Sequence, residues 1–190
     1  SILWRSSYTP LNERGDILRE QAQYWGQPGM HYHPFLRAGE NTLNLQLVRV
    51  LDESLTAKGG YDLDDYLQRY IDFMLTPGKH RDTYVEEYHR HFFTHLARGW
   101  KPQRCGGADV HIGGLAGVGL LCARLGKEAP AAVVEHVGFS HGDADMLDAA
   151  KTLTRMLLAL MLGEPLRETI LHHGSRWFSE RKAALWSKDP

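Results

Sequence analysis

Three consecutive side chains near residue 40 carry oxygen atoms directly ahead of an apolar stretch. Glu40, Asn41 and Thr42 supply a carboxylate, an amide oxygen and a hydroxyl in a row. Hard oxygen ligands of this kind suit Mg²⁺ or Ca²⁺. The same residue types are also preferred at the start of a helix, where they accept hydrogen bonds from backbone amides. The spacing leaves both interpretations open and by itself favours capping.

A glycine-rich stretch lies between Gly106 and Gly119. It begins with Gly106, Gly107 and Ala108, and residues this small let the backbone approach a ligand and offer amide groups to a phosphate. Glycines this dense also occur where helices pack tightly. His141 stands just before the strongest helical pattern, where it would face an anion at a helix N-terminus, although a histidine there is more often an ordinary turn residue.

A second set of potential ligands lies on one predicted helix. Glu87, His91 and His95 follow each other at intervals of four residues, and two histidines four apart on a helix can bind one metal ion. Glu–His pairs on a solvated helix face are the more common explanation. Cys105 precedes two glycines and would be an activated thiol at a helix N-terminus, or else a buried, unreactive cysteine.

Helical periodicity accounts for most of the chain after residue 39 and would position these groups. Asp62 is expected to cap one helix that stops at Thr76, and Asp82 is expected to cap the next, which ends before Gly99. Pro165 suits the first turn of a later helix. The ranges predicted for the other helices are 16–24, 41–57, 120–125, 130–137, 143–162 and 179–185.

The clearest pattern is the one over residues 143–162. Its predicted core face consists of Met146, Leu147, Ala150, Leu153, Leu157, Leu158 and Met161. Alternation typical of strands is absent along the chain. We therefore predict one all-α domain over residues 1–190, largely irregular over 1–39 and helical over 40–190.

Taken in order, three of these segments resemble motifs of the ADP-ribosylglycohydrolase superfamily. The segments are Gly39-Glu40-Asn41-Thr42, then Cys105-Gly106-Gly107-Ala108-Asp109, then Ser140-His141-Gly142-Asp143 with the long helix that runs to Gly163-Glu164-Pro165-Leu166. The last of them is the longest and the most specific.

This resemblance implies an orthogonal α-helical bundle around a cleft with two Mg²⁺ ions. It also implies cleavage of the bond between ADP-ribose and an acceptor such as arginine or serine, by metal-assisted attack of water. The metal-side residues it implies are Glu40, Asn41 and Thr42. The residues it places around the diphosphate of the substrate are Gly106, Gly107, Ala108 and His141. It assigns no catalytic residue in this chain.

The metal motif of this chain departs from the family pattern, which is usually Gly-Asp-Asp-Thr. Glu40 is a longer carboxylate and Asn41 an uncharged amide, and the lost charge predicts Mg²⁺ binding no tighter than millimolar. The family's other acidic motifs are not recognisable, so the chain is expected to be trimmed at both ends. Such motifs are typical of the branch that resembles J-crystallins and selenoprotein J. The alternative function is therefore a non-catalytic ADP-ribose-binding protein or a crystallin-like structural homologue.

Composition narrows the class of partner. The chain has 22 Lys and Arg against 23 Asp and Glu, a formal net charge of -1, so nothing indicates a nucleic-acid surface. No run of about 18 apolar residues predicts a membrane span. Two cysteines cannot build a disulfide framework and favour a reducing compartment. We therefore expect a cytoplasmic protein whose partner is an ADP-ribose-type small molecule or an ADP-ribosylated substrate.

Overall fold

Seven α-helices follow one another in the computed structural model, which describes residues 33–174 together with Ile17, Pro28, Gly29 and His31. The helices predicted over 16–24 and 179–185 therefore lie outside the described residues, as does most of the segment 1–39. The helices are α1 (Leu43–Lys58), α2 (Leu63–Leu75), α3 (Glu87–Ala97), α4 (Val118–Leu125), α5 (Ala129–Gly138), α6 (Ala144–Met161) and α7 (Leu166–Thr169).

Short helical turns fill several of the connections. The 3-10 turns are Pro102–Arg104, Ile112–Leu115 and Gly126–Glu128, and a π-helical turn at Ile170–Gly174 follows α7. The described part of the chain contains no strand and has a single isolated bridge between two residues. The predicted all-α class is confirmed. None of its helices is both long and apolar enough to cross a membrane.

The ends of α1 and α2 follow the sequence prediction. Gly59 ends α1 in the left-handed conformation, with φ of 69°, which glycine adopts without a steric penalty. Asp62 then caps α2, because its carboxylate accepts a hydrogen bond from the backbone amide of Asp65 at 3.0 Å. These two residues fix a short turn between neighbouring helices.

The predicted start of α3 is wrong. The helix begins at Glu87, and its N-cap residue is Glu86 rather than Asp82. Asp82 instead accepts a hydrogen bond from the amide of Leu43 at 2.8 Å and another from the amide of Tyr84 at 3.0 Å. This fully buried carboxylate therefore caps α1, a helix that lies 39 residues earlier in the chain.

Helix α6 has the predicted extent but is less buried than its pattern indicates. Asp143 caps it by accepting from the amides of Asp145 and Met146. Met146 and Ala150 are buried, whereas the rest of the predicted core face is only partly buried, and Met161, at 56% exposure, was wrongly included. An 18-residue helix is about 27 Å long and outruns α4 and α5, the shorter helices on which it packs.

Aromatic rings in the core position the connection that follows α5. Phe139, at the C-terminal end of α5, lies with its ring centroid 5.7 Å from that of Tyr70 and 5.9 Å from that of Phe92. All three rings are buried, so they gain both from burial and from edge-to-face geometry. The core thereby fixes the backbone of Phe139, against which the glycine-rich segment lies.

Candidate functional site

The glycine-rich segment and the turn before α6 meet backbone to backbone. Gly107 and His141 form an isolated parallel bridge, and the amide of Gly142 donates to the carbonyl of Gly107 at 2.8 Å. A Cβ at Gly106 would lie 2.1 Å from the carbonyl oxygen of Phe139, which only glycine avoids. The structure thus brings together Gly106, Gly107 and His141, three residues that the sequence placed at one site. We refer to this contact as the Gly107–His141 junction.

The His141 ring lies beneath the segment and does not reach solvent. Its Nδ1 is 2.8 Å from the hydroxyl of Ser140, and its Nε2 is 3.5 Å from a carboxylate oxygen of Asp109. A Cβ at Gly114 would lie 2.6 Å from Nδ1, so this glycine lets the segment cover the ring. Burial lowers the pKa of His141, and the nearby Asp109 only partly opposes that effect. A neutral imidazole therefore supports the junction from below.

Asp109 and His111 form a polar pair on the segment that the sequence analysis did not single out. The Asp109 carboxylate accepts from the amide of His111 at 2.8 Å and lies 2.7 Å from its Nδ1. Burial opposes ionisation of Asp109, but these contacts lower its pKa overall. The side chain of His111 is 60% exposed. An Asp-x-His pattern inside a glycine-rich stretch was the signal available for this pair.

The remaining predicted substrate residue, Ala108, follows the junction at the surface. Val110 and Ile112, further along the segment, are also exposed. The segment therefore alternates between buried anchors and exposed positions, with Asp109 as an anchor. Such a segment offers its backbone and small side chains to a ligand from one side while it is held from the other.

A small polar pocket lies among Asn44, Tyr88, His89, Gly113 and Ser140. Its volume of about 30 Å³ corresponds to roughly two water molecules. It is therefore too small for a nucleotide and belongs to the floor beneath the segment. His89 is deeply buried in its wall, with Nδ1 2.7 Å from the hydroxyl of Tyr70.

Glu86 extends this polar floor under the glycine-rich segment. Its carboxylate accepts from the amide of Asn44 at 2.9 Å, and the hydroxyl of Tyr88 donates to Asn44 at 3.1 Å. The other carboxylate oxygen is buried without a hydrogen-bond partner among the described residues. A Cβ at Gly113 would lie 2.2 Å from that oxygen, and burial raises the pKa of Glu86. The sequence analysis did not identify this group, because Asn44 and Tyr88 meet Glu86 only in the folded chain.

The three predicted metal-side residues lie exposed at the start of α1. The carboxylate of Glu40 forms a salt bridge with Arg81 and accepts from the amide of Arg37 at 2.9 Å. Thr42 is the N-cap residue but makes no side-chain capping bond, so the capping role belongs to a residue elsewhere. The predicted cluster thus contributes one carboxylate, and that group is already paired with a cation.

A divalent cation needs several oxygen ligands, preferably charged ones. Within the described residues, no group of three or more His, Cys, Asp or Glu side chains is arranged to hold a metal ion. Glu40, Asn41 and Thr42 by themselves do not fit such an ion, and the chemistry below uses none of them as a metal ligand.

The third predicted group does not converge on one point. His91 and Glu87 form an exposed pair at 3.5 Å, while the Nδ1 of His95 is 2.8 Å from the carbonyl oxygen of Cys105. Cys105 is buried, and burial raises its pKa to about 11, so the thiol is not activated. Cys105 and Cys122 are both free cysteines.

Comparison with known proteins identifies the chain at the level of a family. The family model for ADP-ribosylglycohydrolase matches residues 7–188, which is nearly the whole chain. Neither the curated proteins nor the solved structures contain a match to it.

Proposed function

The chain belongs to the ADP-ribosylglycohydrolase family, and we propose that it binds the ADP-ribose part of an ADP-ribosylated substrate at the Gly107–His141 junction and hydrolyses the bond to the acceptor. The observation that carries this proposal is the junction itself. Two glycines and a histidine that lie some 35 residues apart in sequence meet there through backbone contacts.

The geometry of the junction suits a diphosphate. A Cβ at Gly107 would meet nothing within 4 Å, so this backbone is open on one side while the amide of Gly142 holds it on the other. Backbone amides that a ligand can approach closely are a common means of binding phosphate oxygens. The exposed imidazole of His111 adds a hydrogen-bond donor next to that surface.

The proposed reaction is a hydrolysis at the anomeric carbon of the ribose. The oxygen of water bonds to that carbon, the bond from the carbon to the acceptor breaks, and the acceptor leaves with a proton from the water. The linkage, to nitrogen or to oxygen, depends on the acceptor. We propose that any contribution of Mg²⁺ through Glu40, Asn41 and Thr42 is weak, because Arg81 already pairs with the one carboxylate of that group.

A second candidate function is binding of ADP-ribose without hydrolysis. The pairing of Glu40 with Arg81 favours it, since the metal side of the cleft then lacks a free carboxylate while the junction remains intact. The two candidates share the same ligand and the same binding residues. They differ only in turnover.

Calorimetric titration with ADP-ribose, with and without Mg²⁺, tests the shared part of the proposal. We expect saturable binding by the wild type and at least about tenfold weaker binding by Gly107→Val, because a side chain there would occupy the open side of the junction (tenfold is about 1.4 kcal/mol). Gly119→Val is the matched control, since a Cβ at Gly119 also meets nothing within 4 Å. It should bind like the wild type.

Incubation with arginine-linked and serine-linked ADP-ribosyl peptides then separates the two candidates. Release of free ADP-ribose supports hydrolysis, and binding without release supports the second candidate. If the wild type does not bind ADP-ribose, or if Gly107→Val binds as well as the wild type, the assignment to the junction is wrong.

A further inference from the structure

A flat aromatic stack stands beside the glycine-rich segment. The indole of Trp100 lies on the imidazole of His95, with ring centroids 4.2 Å apart and ring planes 9° from parallel. Trp100 is 49% exposed, so a large part of this apolar ring faces solvent. An exposed aromatic ring that is already held in place is a surface on which a second flat ring can stack.

Hydrogen bonds tie this stack to the start of the glycine-rich segment. The Nδ1 of His95 is 2.8 Å from the carbonyl oxygen of Cys105. The thiol of Cys105 in turn lies 3.7 Å from the carbonyl oxygen of Trp100. Gly99, with φ of 85°, lets the chain turn back after α3, and the amide of Trp100 donates to the carbonyl of His95 at 3.2 Å. Both rings therefore have fixed positions relative to Cys105.

The spacing between the stack and the junction suits one nucleotide. Gly107 follows Cys105 by two residues, a span of at most about 7 Å. In ADP-ribose a single ribose separates the adenine from the diphosphate. A diphosphate at Gly107 would thus leave the adenine within reach of the region that Trp100 occupies.

We propose that Trp100 stacks on the adenine of the bound ligand and that His95 is the positioning residue behind it. The inference rests on the proposed function, since that function supplies the adenine. It assigns recognition of the base to a residue outside the glycine-rich segment. It also gives His95 a role that requires no metal.

Three substitutions at Trp100 test this assignment by calorimetric titration with ADP-ribose. Trp100→Ala should weaken binding by at least tenfold, which corresponds to about 1.4 kcal/mol and lies within the range for loss of one base–aromatic stack. Trp100→Phe keeps a ring and should stay within about threefold of the wild type. Trp100→Leu keeps apolar volume without a ring and should bind as weakly as the alanine variant.

Leu162→Ala serves as the matched control, because Leu162 is an exposed apolar residue at the end of α6. This variant should bind ADP-ribose like the wild type. Quenching of tryptophan fluorescence by ADP-ribose gives a second readout, which a purely structural role would not produce. The quenching should be present in the wild type and lost in Trp100→Phe, although that variant still binds.

Each outcome decides the proposal. Equal affinity of wild type and Trp100→Ala overturns the stacking role and leaves the junction assignment in place. Equal weakening in the phenylalanine and leucine variants shows that the ring is not what matters, and it also overturns the role. If Trp100→Ala does not fold, the phenylalanine and leucine variants decide between themselves. Failure of the wild type to bind ADP-ribose overturns the stacking role and the proposed function together.

Discussion

The two halves of the expected site are built in different ways. At the N-terminus of α1, Glu40, Asn41 and Thr42 are exposed, and their one carboxylate pairs with Arg81. At the Gly107–His141 junction, buried side chains and glycines without space for a Cβ hold the backbone in one arrangement. The first region is an open surface with compensated charge, and the second is a packed and specific contact.

This difference separates the family's ligand-binding side from its metal side. A packed junction tolerates few substitutions, because each added atom displaces backbone. An exposed motif tolerates an acid-to-amide change, since solvent and a neighbouring arginine compensate for the charge. In this chain the constraint therefore lies on the side proposed to bind the diphosphate. Substitutions in the two regions should have effects of different size.

The largest effect is expected at the junction, from Gly106→Ala. The new Cβ would lie 2.1 Å from the carbonyl oxygen of Phe139, and neither partner is a flexible side chain. Overpacking usually costs about 1–3 kcal/mol, and a clash between two backbones should reach the upper end of that range. Urea denaturation of the variant should show a free energy of unfolding lower by about 3 kcal/mol.

Gly107→Ala is the control for this substitution, because a Cβ at the neighbouring position meets nothing within 4 Å. Its free energy of unfolding should change by less than about 0.5 kcal/mol, as for an unconstrained surface site. Equal losses in the two variants would mean that the junction is not packed as described.

The next effect concerns acid, to which the packed side should be the more sensitive. Burial lowers the pKa of His136 to about 3 and holds that of His89 well below its usual range. Both folded-state values lie below the unfolded value of about 6.5. The stability that the neutral rings contribute is thus present above pH 6.5 and is lost as the pH falls toward 3.

For His136 alone, the loss by pH 4.5 should be roughly 2–3 kcal/mol, from about two pH units at 1.36 kcal/mol each. His136→Phe should therefore lose less stability than the wild type between pH 7 and pH 4.5, as measured by thermal or urea unfolding. His91→Gln removes a half-exposed imidazole and should follow the wild-type curve. Parallel curves for the wild type and His136→Phe would contradict the predicted effect.

Local sequence signals were sufficient where a helix end depends on its own neighbours. Asp62 caps α2 and Asp143 caps α6 as predicted, because each carboxylate accepts amides two or three residues ahead. Asp82 fits the same local pattern and was misassigned, since its partner Leu43 lies 39 residues away. No short-range signal distinguishes these two situations.

The candidate site divides in the same manner. Motif order indicated Gly106, Gly107 and His141, and they meet in the folded chain. The Glu86–Asn44–Tyr88 network and the stack of Trp100 on His95 join residues from different turns or helices. Such contacts depend on tertiary packing, so the sequence pattern alone could not predict them.

The smallest effect is expected at the exposed side, from Asn41→Asp. A carboxylate next to the N-terminus of α1 interacts favourably with the helix dipole, so stability should rise by less than about 1 kcal/mol. The wild type should bind Mg²⁺ no more tightly than millimolar, and the added charge should increase that affinity only if Asn41 and Glu40 face a metal cleft. Gln46→Glu adds a charge in the first turn of α1 outside the motif, so any gain in affinity should be confined to Asn41→Asp. Calorimetric titration with Mg²⁺ measures both variants, and tight binding by the wild type would contradict the compensated state that Arg81 indicates.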